Sequence, residues 1–207
     1  MFISLFIITS LSLFSVEYFA NSATINCGRA VNICKGTEYG DTMIGNQSRN
    51  TMEGLGGSDD MLGLFENDIL NGGNGSDLVM GNEGNDIING QNGDDNLIGG
   101  TGNDNIAGGN GSDGIIGGEG TDIVSGNHGN DSIMGGPSND IIFGDLGSDY
   151  INGEEGDDKI YHNILNSTAP DSSQDIINCG DGLDEVWVNI KNDSDVASPD
   201  CEIVHKD

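Results

Sequence analysis

Aspartate recurs every nine residues through the middle of this chain, and that spacing is the feature most able to do chemistry. Residues 36–161 divide into fourteen units of nine without insertion, and the sixth position is Asp in thirteen of them. The exception is Asn50. Carboxylates repeated at a fixed period are typical of a repeated cation site, whereas a catalytic pair would occur once.

Glycine and aliphatic residues follow the same period. Position one is Gly in all fourteen units, and position eight is always Met, Leu, Val or Ile. Position four is Gly in ten units, the exceptions being Tyr39, Ser48, Glu66 and Ser138. The first six positions are rich in turn residues, and the last three are β-formers around one aliphatic residue. Each unit is therefore predicted to be a turn followed by a very short strand.

Two such nine-residue units form one flattened coil, with a strand on each side and a turn at each edge. Coils of this kind stack at about 4.8 Å, with the position-eight side chains pointing inward. The sequence thus predicts an all-β fold, a parallel β-roll (β-solenoid) with two units, or eighteen residues, per coil. Position six forms two columns. One contains Asp41, Asp59, Asp77, Asp95, Asp113, Asp131 and Asp149, and the other contains Asn50, Asp68, Asp86, Asp104, Asp122, Asp140 and Asp158.

Stacked carboxylates about 5 Å apart repel one another by roughly 0.8 kcal/mol in water and by more when buried. A cation between two carboxylates makes the net electrostatic interaction attractive. Carboxylates and turn carbonyls form an all-oxygen ligand set, which suits Ca²⁺ better than Mg²⁺. No CxxC spacing occurs and the three histidines are scattered, which argues against a zinc site. We therefore expect bound calcium to be structural and folding to be coupled to it.

The unit GGxGxDxUx, in which U is aliphatic, is intact at 72–80 and 117–125. It resembles the RTX (hemolysin-type) calcium-binding nonapeptide. The resemblance implies a right-handed roll with each ion between two turns on one edge, two units apart in sequence. One turn would contribute the carbonyls of positions two and four and its position-six Asp. The other turn would contribute the carbonyls of positions one and three and its own position-six Asp. One ion would bind Asn82, Gly84, Asp86, Gly99, Thr101 and Asp104, and another Gly73, Gly75, Asp77, Gly90, Asn92 and Asp95.

All position-six aspartates from Asp59 to Asp158 are thus predicted calcium ligands, for up to about ten ions. Three departures from the repeat affect this prediction. Asn50 removes a charge from its site with Asp68, and the early units that lack Gly at position four are expected to bind more weakly. Pro137 and Ser138 alter one turn without removing Asp140.

Residues 1–22 are predicted to be a secretory signal peptide. The apolar run before Glu17 is shorter than the roughly 20 residues that span a bilayer. Small residues at Ala20, Ser22 and Ala23 suit cleavage after Ser22, although no Lys or Arg precedes the run. The alternative is an uncleaved N-terminal anchor. We expect a secreted, extracellular protein without membrane insertion of the mature chain.

Residues 23–35 are predicted to form an N-terminal cap, and residues 162–207 a polar loop and a C-terminal cap. Four cysteines permit three disulfide connectivities. Proximity favours Cys27 with Cys34 and Cys179 with Cys201. Trp187 is expected to fill the core of the C-terminal cap.

The net charge of −29 repels nucleic acid and anionic membranes and attracts cations. No HExxH, GxSxG or Cys/His arrangement is present, and the adjacent acids Asp94 and Asp95 are accounted for by the repeat. The predicted function is non-enzymatic, extracellular calcium binding. The alternatives are a calcium-dependent adhesion or surface-assembly scaffold and an accessory module of an enzyme. No motif identifies a protein or glycan partner.

Overall fold

The computed structural model describes residues 22–28, 33–162, 173–188 and 195–206, which form strands and no helix. The strands alternate between two ten-stranded sheets. One sheet contains β1 (Thr24–Asn26), β3 (Thr42–Ile44), β5 (Asp60–Phe65), β7 (Leu78–Glu83), β9 (Asn96–Thr101), β11 (Gly114–Glu119), β13 (Ser132–Pro137), β15 (Tyr150–Glu155), β17 (Ile176–Asp181) and β19 (Val196–Ala197). The other contains β2 (Ile33–Lys35), β4 (Thr51–Gly56), β6 (Ile69–Asn74), β8 (Ile87–Asn92), β10 (Asn105–Asn110), β12 (Ile123–His128), β14 (Ile141–Leu146), β16 (Lys159–Tyr161), β18 (Glu185–Val188) and β20 (Ile203–Lys206).

Two of the sequence predictions fall largely beyond these ranges. The predicted signal peptide lies outside the described residues except for Ser22, as do residues 163–172 of the predicted polar loop. Within the described ranges, the structure contains no helix of the length and apolarity that a membrane crossing needs.

The register of the sheets confirms the predicted coil. Strands pair in parallel with a constant offset of two units, as in Val79 with Leu97. The offset rises from 18 to 26 where Tyr150 pairs with Ile176, because eight extra residues (26 − 18) are inserted in that coil. The parallel order then resumes, so the chain forms a parallel β-solenoid with two nonapeptide units per regular turn.

The strands are longer than the sequence predicted. Three-residue strands were expected at positions seven to nine, but most strands have six residues and continue through positions one to three of the next unit. Strand β7, for example, runs from Leu78 across Gly81 to Glu83. The glycine at position one lies close against the next coil, so the extended chain passes through it without interruption. Only positions four to six lie between the strands.

The interior is a ladder of position-eight side chains, as predicted. From Met43 to Ile160 these side chains are at most 1% exposed. The two disulfides join Cys27 to Cys34 and Cys179 to Cys201, with Cα–Cα distances of 5.7 and 5.2 Å. All four cysteines belong to the same core cluster, so each end of the ladder carries a covalent bridge.

The prediction that Trp187 fills the core is wrong. Val186, at position eight, occupies the core, and the alternation of the strand directs Trp187 to the outer face. There its ring stacks between those of Tyr161 and His205, with centroids 4.4 and 4.6 Å away. Phe143 stacks on Tyr161 at 5.0 Å, which completes a four-ring ladder on this sheet.

Candidate cation sites

The position-six aspartates line the inside of the two turn edges. From Asp41 to Asp158 their exposure does not exceed 3%. From Asp59 onward, each Oδ1 accepts a hydrogen bond from the backbone N–H of the position-six residue one coil earlier. The N–H of Asp77 donates to Asp95 at 2.8 Å, and that of Asp86 donates to Asp104 at 2.7 Å. One oxygen of each carboxylate is thereby held in place, and the orientation of the other is set.

The second carboxylate oxygen has no hydrogen-bond partner in most of these residues. Among the residues that the structure describes, no partner is present for the buried Oδ2 atoms of Asp59, Asp68, Asp77, Asp86, Asp95, Asp104, Asp113, Asp122, Asp131, Asp140 and Asp158, nor for that of Asp184, which follows the repeats. A buried polar atom without a partner is costly, and a charged one more so, which makes such a row exceptional in a folded protein. We refer to these partnerless Oδ2 atoms as the orphan oxygens; they are available to a cation.

The glycines at position one explain where the orphan oxygens point. A Cβ added to Gly99 would come within 3.0 Å of both Asp104 Oδ2 and the carbonyl oxygen of Gly117. A Cβ added to Gly90 would likewise come within 3.0 Å of Asp95 Oδ2 and of the carbonyl oxygen of Gly108 in the next coil. The missing side chain leaves a cradle where a carboxylate oxygen and a carbonyl oxygen converge. An all-oxygen cradle fits Ca²⁺.

The turns differ between the first two units and the other twelve. From residue 54 to residue 161, positions two and four all have positive φ, including non-glycine residues such as Asn82 (77°) and Ser138 (92°). In the first two units neither position does, and the N–H of position two points at the position-six side chain. Thr37 donates to Asp41 Oδ2 at 2.6 Å, and Asn46 donates to Asn50 Oδ1 at 2.8 Å. Backbone donors therefore occupy the first two turns, and the orphan oxygens begin at Asp59.

The two predicted carbonyl sets each lie on one edge of adjacent coils. Gly73 and Gly75 have φ of 121° and 133°, and Gly84 has φ of 141°. The position-three carbonyls are already partly used, since Asn92 accepts from the Gly75 N–H at 2.8 Å and Thr101 from the Gly84 N–H at 2.9 Å. A carbonyl has a second lone pair, so this bond leaves one acceptor position on each oxygen. The predicted ligand sets remain predictions at the level of individual carbonyls.

The columns continue beyond the residues that the sequence pointed to as ligands. The N–H of Asp149 donates to Asp175 Oδ1, and that of Asp158 to Asp184 Oδ1, both at 2.8 Å. Their nine-residue separation was the signal that could have revealed them. The last members are Asp195 and Glu202, which accept from Asp175 and Asp184 at 3.1 and 2.9 Å. Neither stands in a recognisable repeat, so the sequence carried no signal for them.

Burial raises the pKa of the carboxyl groups whose Oδ2 atoms lack a partner, because charge is disfavoured away from water. The pKa of Asp59 rises to about 6, that of Asp95 to about 7 and that of Asp140 to about 8. Neighbouring aspartates of the same column add to the rise in each case, while the backbone hydrogen bond opposes it. Without a cation, the column therefore holds protons near neutral pH.

These pKa values predict opposite effects of pH on the metal-free and metal-bound protein. The folded pKa values exceed the ordinary value of 3.8, so the folded chain binds more protons than the unfolded chain between about pH 4 and 8, and the metal-free roll loses stability as pH rises. Calcium needs deprotonated ligands, so its apparent affinity should rise over the same range. Circular dichroism in chelator measures the stability of the metal-free roll, and calcium titration measures the apparent affinity; both are compared between about pH 5 and about pH 8. Trends of the same sign would contradict the prediction.

The fold and its orphan oxygens define a class of protein, a parallel β-solenoid with two internal columns of cation-binding carboxylates. The family model of the RTX calcium-binding nonapeptide repeat, which spans four copies of the repeat, matches five overlapping or adjoining segments: residues 35–70, 62–97, 71–106, 89–124 and 125–160. These matches cover more than half of the chain, which therefore belongs to the RTX calcium-binding nonapeptide repeat family. This confirms the resemblance seen in the sequence and indicates Ca²⁺ as the cation of the β-roll. No curated protein matches the chain.

Proposed function

We propose that this chain is an extracellular, non-enzymatic calcium-binding protein whose roll forms together with its ions. The observation that supports the proposal most strongly is the row of buried Oδ2 atoms without a partner. A column of uncompensated carboxylates would oppose folding, and a divalent ion between each pair removes the repulsion and supplies the missing partner.

The ions would lie between successive coils from Asp59 onward, on both edges. Under the family arrangement each interior aspartate serves the ion on either side of it, so Asp95 would contribute to one ion with Asp77 and to another with Asp113. The carbonyls of positions one to four would complete each shell. When bound, Ca²⁺ supplies charge neutralisation, while the chain orients each carboxylate through the Oδ1 hydrogen bond.

An extracellular setting is supported by two features of the chain and agrees with the general calcium affinity of extracellular modules. The N-terminal apolar segment is too short to span a bilayer, and small residues follow it at Ala20, Ser22 and Ala23. The four cysteines form two disulfides, which persist in oxidising compartments. Calcium sites of extracellular modules operate at about 10⁻⁴–10⁻³ M, the concentration range found outside cells.

The experiment that tests the function compares two neighbouring Asp→Asn substitutions. Asp95→Asn keeps an oxygen that can accept from the Asp77 N–H but replaces the partnerless Oδ2 by an amide nitrogen. Because Asp95 would serve two ions, binding should fall by about two ions per chain. Asp94→Asn removes the same charge from an exposed position and keeps an acceptor for the Ser112 N–H. Equilibrium dialysis with calcium counts the ions.

The control separates ligand loss from simple charge loss. Asp94→Asn should retain the wild-type number of ions, with at most a small change in affinity, because exposed charges are screened by solvent and salt. Equal losses in the two variants would show that calcium responds to overall charge and would overturn the proposal.

A further inference from the structure

His162 interrupts the most regular feature of the repeat. It directly follows β16 and lies at position one of its coil, eighteen residues after Gly144. All fourteen repeat units have glycine at this position. Its backbone keeps the repeat arrangement, because its carbonyl accepts from the Asp145 N–H at 2.8 Å and its N–H donates to Trp187 at 3.0 Å. In this coil an imidazole therefore extends into the space that the position-one glycines leave open in earlier coils.

The imidazole meets two carboxylates of the column. His162 Nδ1 lies 2.5 Å from Asp175 Oδ2 and 3.3 Å from Asp195 Oδ2. The side chains of His162 and Asp175 are 2% and 0% exposed. Both carboxylates are oriented by the column's own hydrogen bonds, in which Asp149 donates to Asp175 and Asp175 donates to Asp195. One nitrogen and two oxygen donors thus converge within 4.8 Å of one another.

This donor set differs chemically from the all-oxygen cradles of the repeats. An imidazole nitrogen with carboxylate oxygens suits Zn²⁺ and related ions, whereas Ca²⁺ prefers oxygen alone. Three protein ligands are also the number found in zinc sites that keep one position open. A neutral imidazole and two carboxylates carry a charge of about −2, which a divalent ion neutralises.

We propose that His162, Asp175 and Asp195 form a binding site for a divalent first-row transition metal ion, Zn²⁺ in particular, at the end of one calcium column. The ion would replace calcium in the coil where the position-one glycine is lost. All four cysteines are in disulfides, so thiolates do not compete for the metal.

The test uses the full mature chain, saturated with calcium so that the roll is formed. Isothermal titration with Zn²⁺ should show one tight equivalent, and Co²⁺ as a substitute should develop a visible absorption band on binding. His162→Gly restores the glycine of the repeat and should weaken the tight equivalent by at least about tenfold. His128→Asn alters an exposed histidine at the end of β12, on another coil, and should leave the titration unchanged.

Two results would overturn the proposal. One is a wild-type protein without a tight equivalent, which would leave His162 as a hydrogen-bond partner of the two carboxylates and not as a metal ligand. The other is unchanged affinity in His162→Gly or, should that variant not fold, in Asp195→Asn, which keeps the histidine. Calcium stoichiometry measured on the same samples distinguishes a failure of this site from a failure of calcium binding.

Discussion

Excess chelator at neutral pH is expected to convert the roll into a largely unfolded chain. In the part of the chain that the structure describes, twelve buried carboxylates from Asp59 to Asp184 have an oxygen without a partner. An uncompensated buried charge costs several kcal/mol, and a folded domain is stable by only about 5–15 kcal/mol. Protonation removes part of this cost, but it cannot occur in full at all sites, because the pKa of Asp59 or Asp158 is only about 6. The loss of even a fraction of the ions therefore exceeds the stability of the fold.

Circular dichroism during a calcium titration measures this effect. The β-signal should appear cooperatively with calcium, because each ion would join two coils and successive ions in a column would share an aspartate. Magnesium at the same concentration should fail to restore the signal, since its strict octahedral shell fits flexible carbonyl turns poorly. An unchanged β-spectrum in chelator at neutral pH would disprove the coupling of folding to calcium.

Gly111→Ala is expected to destabilise the calcium-saturated roll by about 3 kcal/mol or more. Gly111 occupies position four with φ of 142°, a conformation that a side chain rarely adopts. Its Cβ would also overlap the carbonyl oxygen of Gly93 in the preceding coil. That atom is backbone and belongs to a stacked turn, so it cannot move aside without displacing the edge of the roll. Denaturant unfolding at saturating calcium gives the change in stability.

Gly114→Ala, three residues further along, is the matched control. Gly114 is at position seven, its φ is not positive, and the nearest atom to an added Cβ is the side-chain Oδ1 of Asn96 at 3.1 Å. Alanine there restricts the unfolded chain more than the folded one, so stability should change by less than about 1 kcal/mol, in the stabilising direction. Similar destabilisation by the two variants would show that the position-four conformation is not the cause.

Much of the architecture could be predicted because two repeats of the sequence make one complete coil. Any residue and its counterpart two units later become neighbours, so the pairing of Val79 with Leu97 follows from the spacing alone. The two aspartate columns follow from the same arithmetic. The strands were predicted too short because glycine was interpreted only as a turn residue. At position one, its role is to let two coils approach, a close contact that composition does not reveal.

The sequence by itself determined the coil, its aliphatic ladder and the identity of the cation, because these depend on residue type and on a constant spacing. Only the tertiary structure decided which carboxylate oxygens lack a partner and which turns are closed by a backbone donor, as at Asp41. It also decided that His162 meets Asp175 and Asp195, although the scattered histidines argued against a zinc site. The reason is that the insertion before β17 breaks the constant spacing. Beyond that point, neighbours are set by how the chain packs back onto the last regular coil.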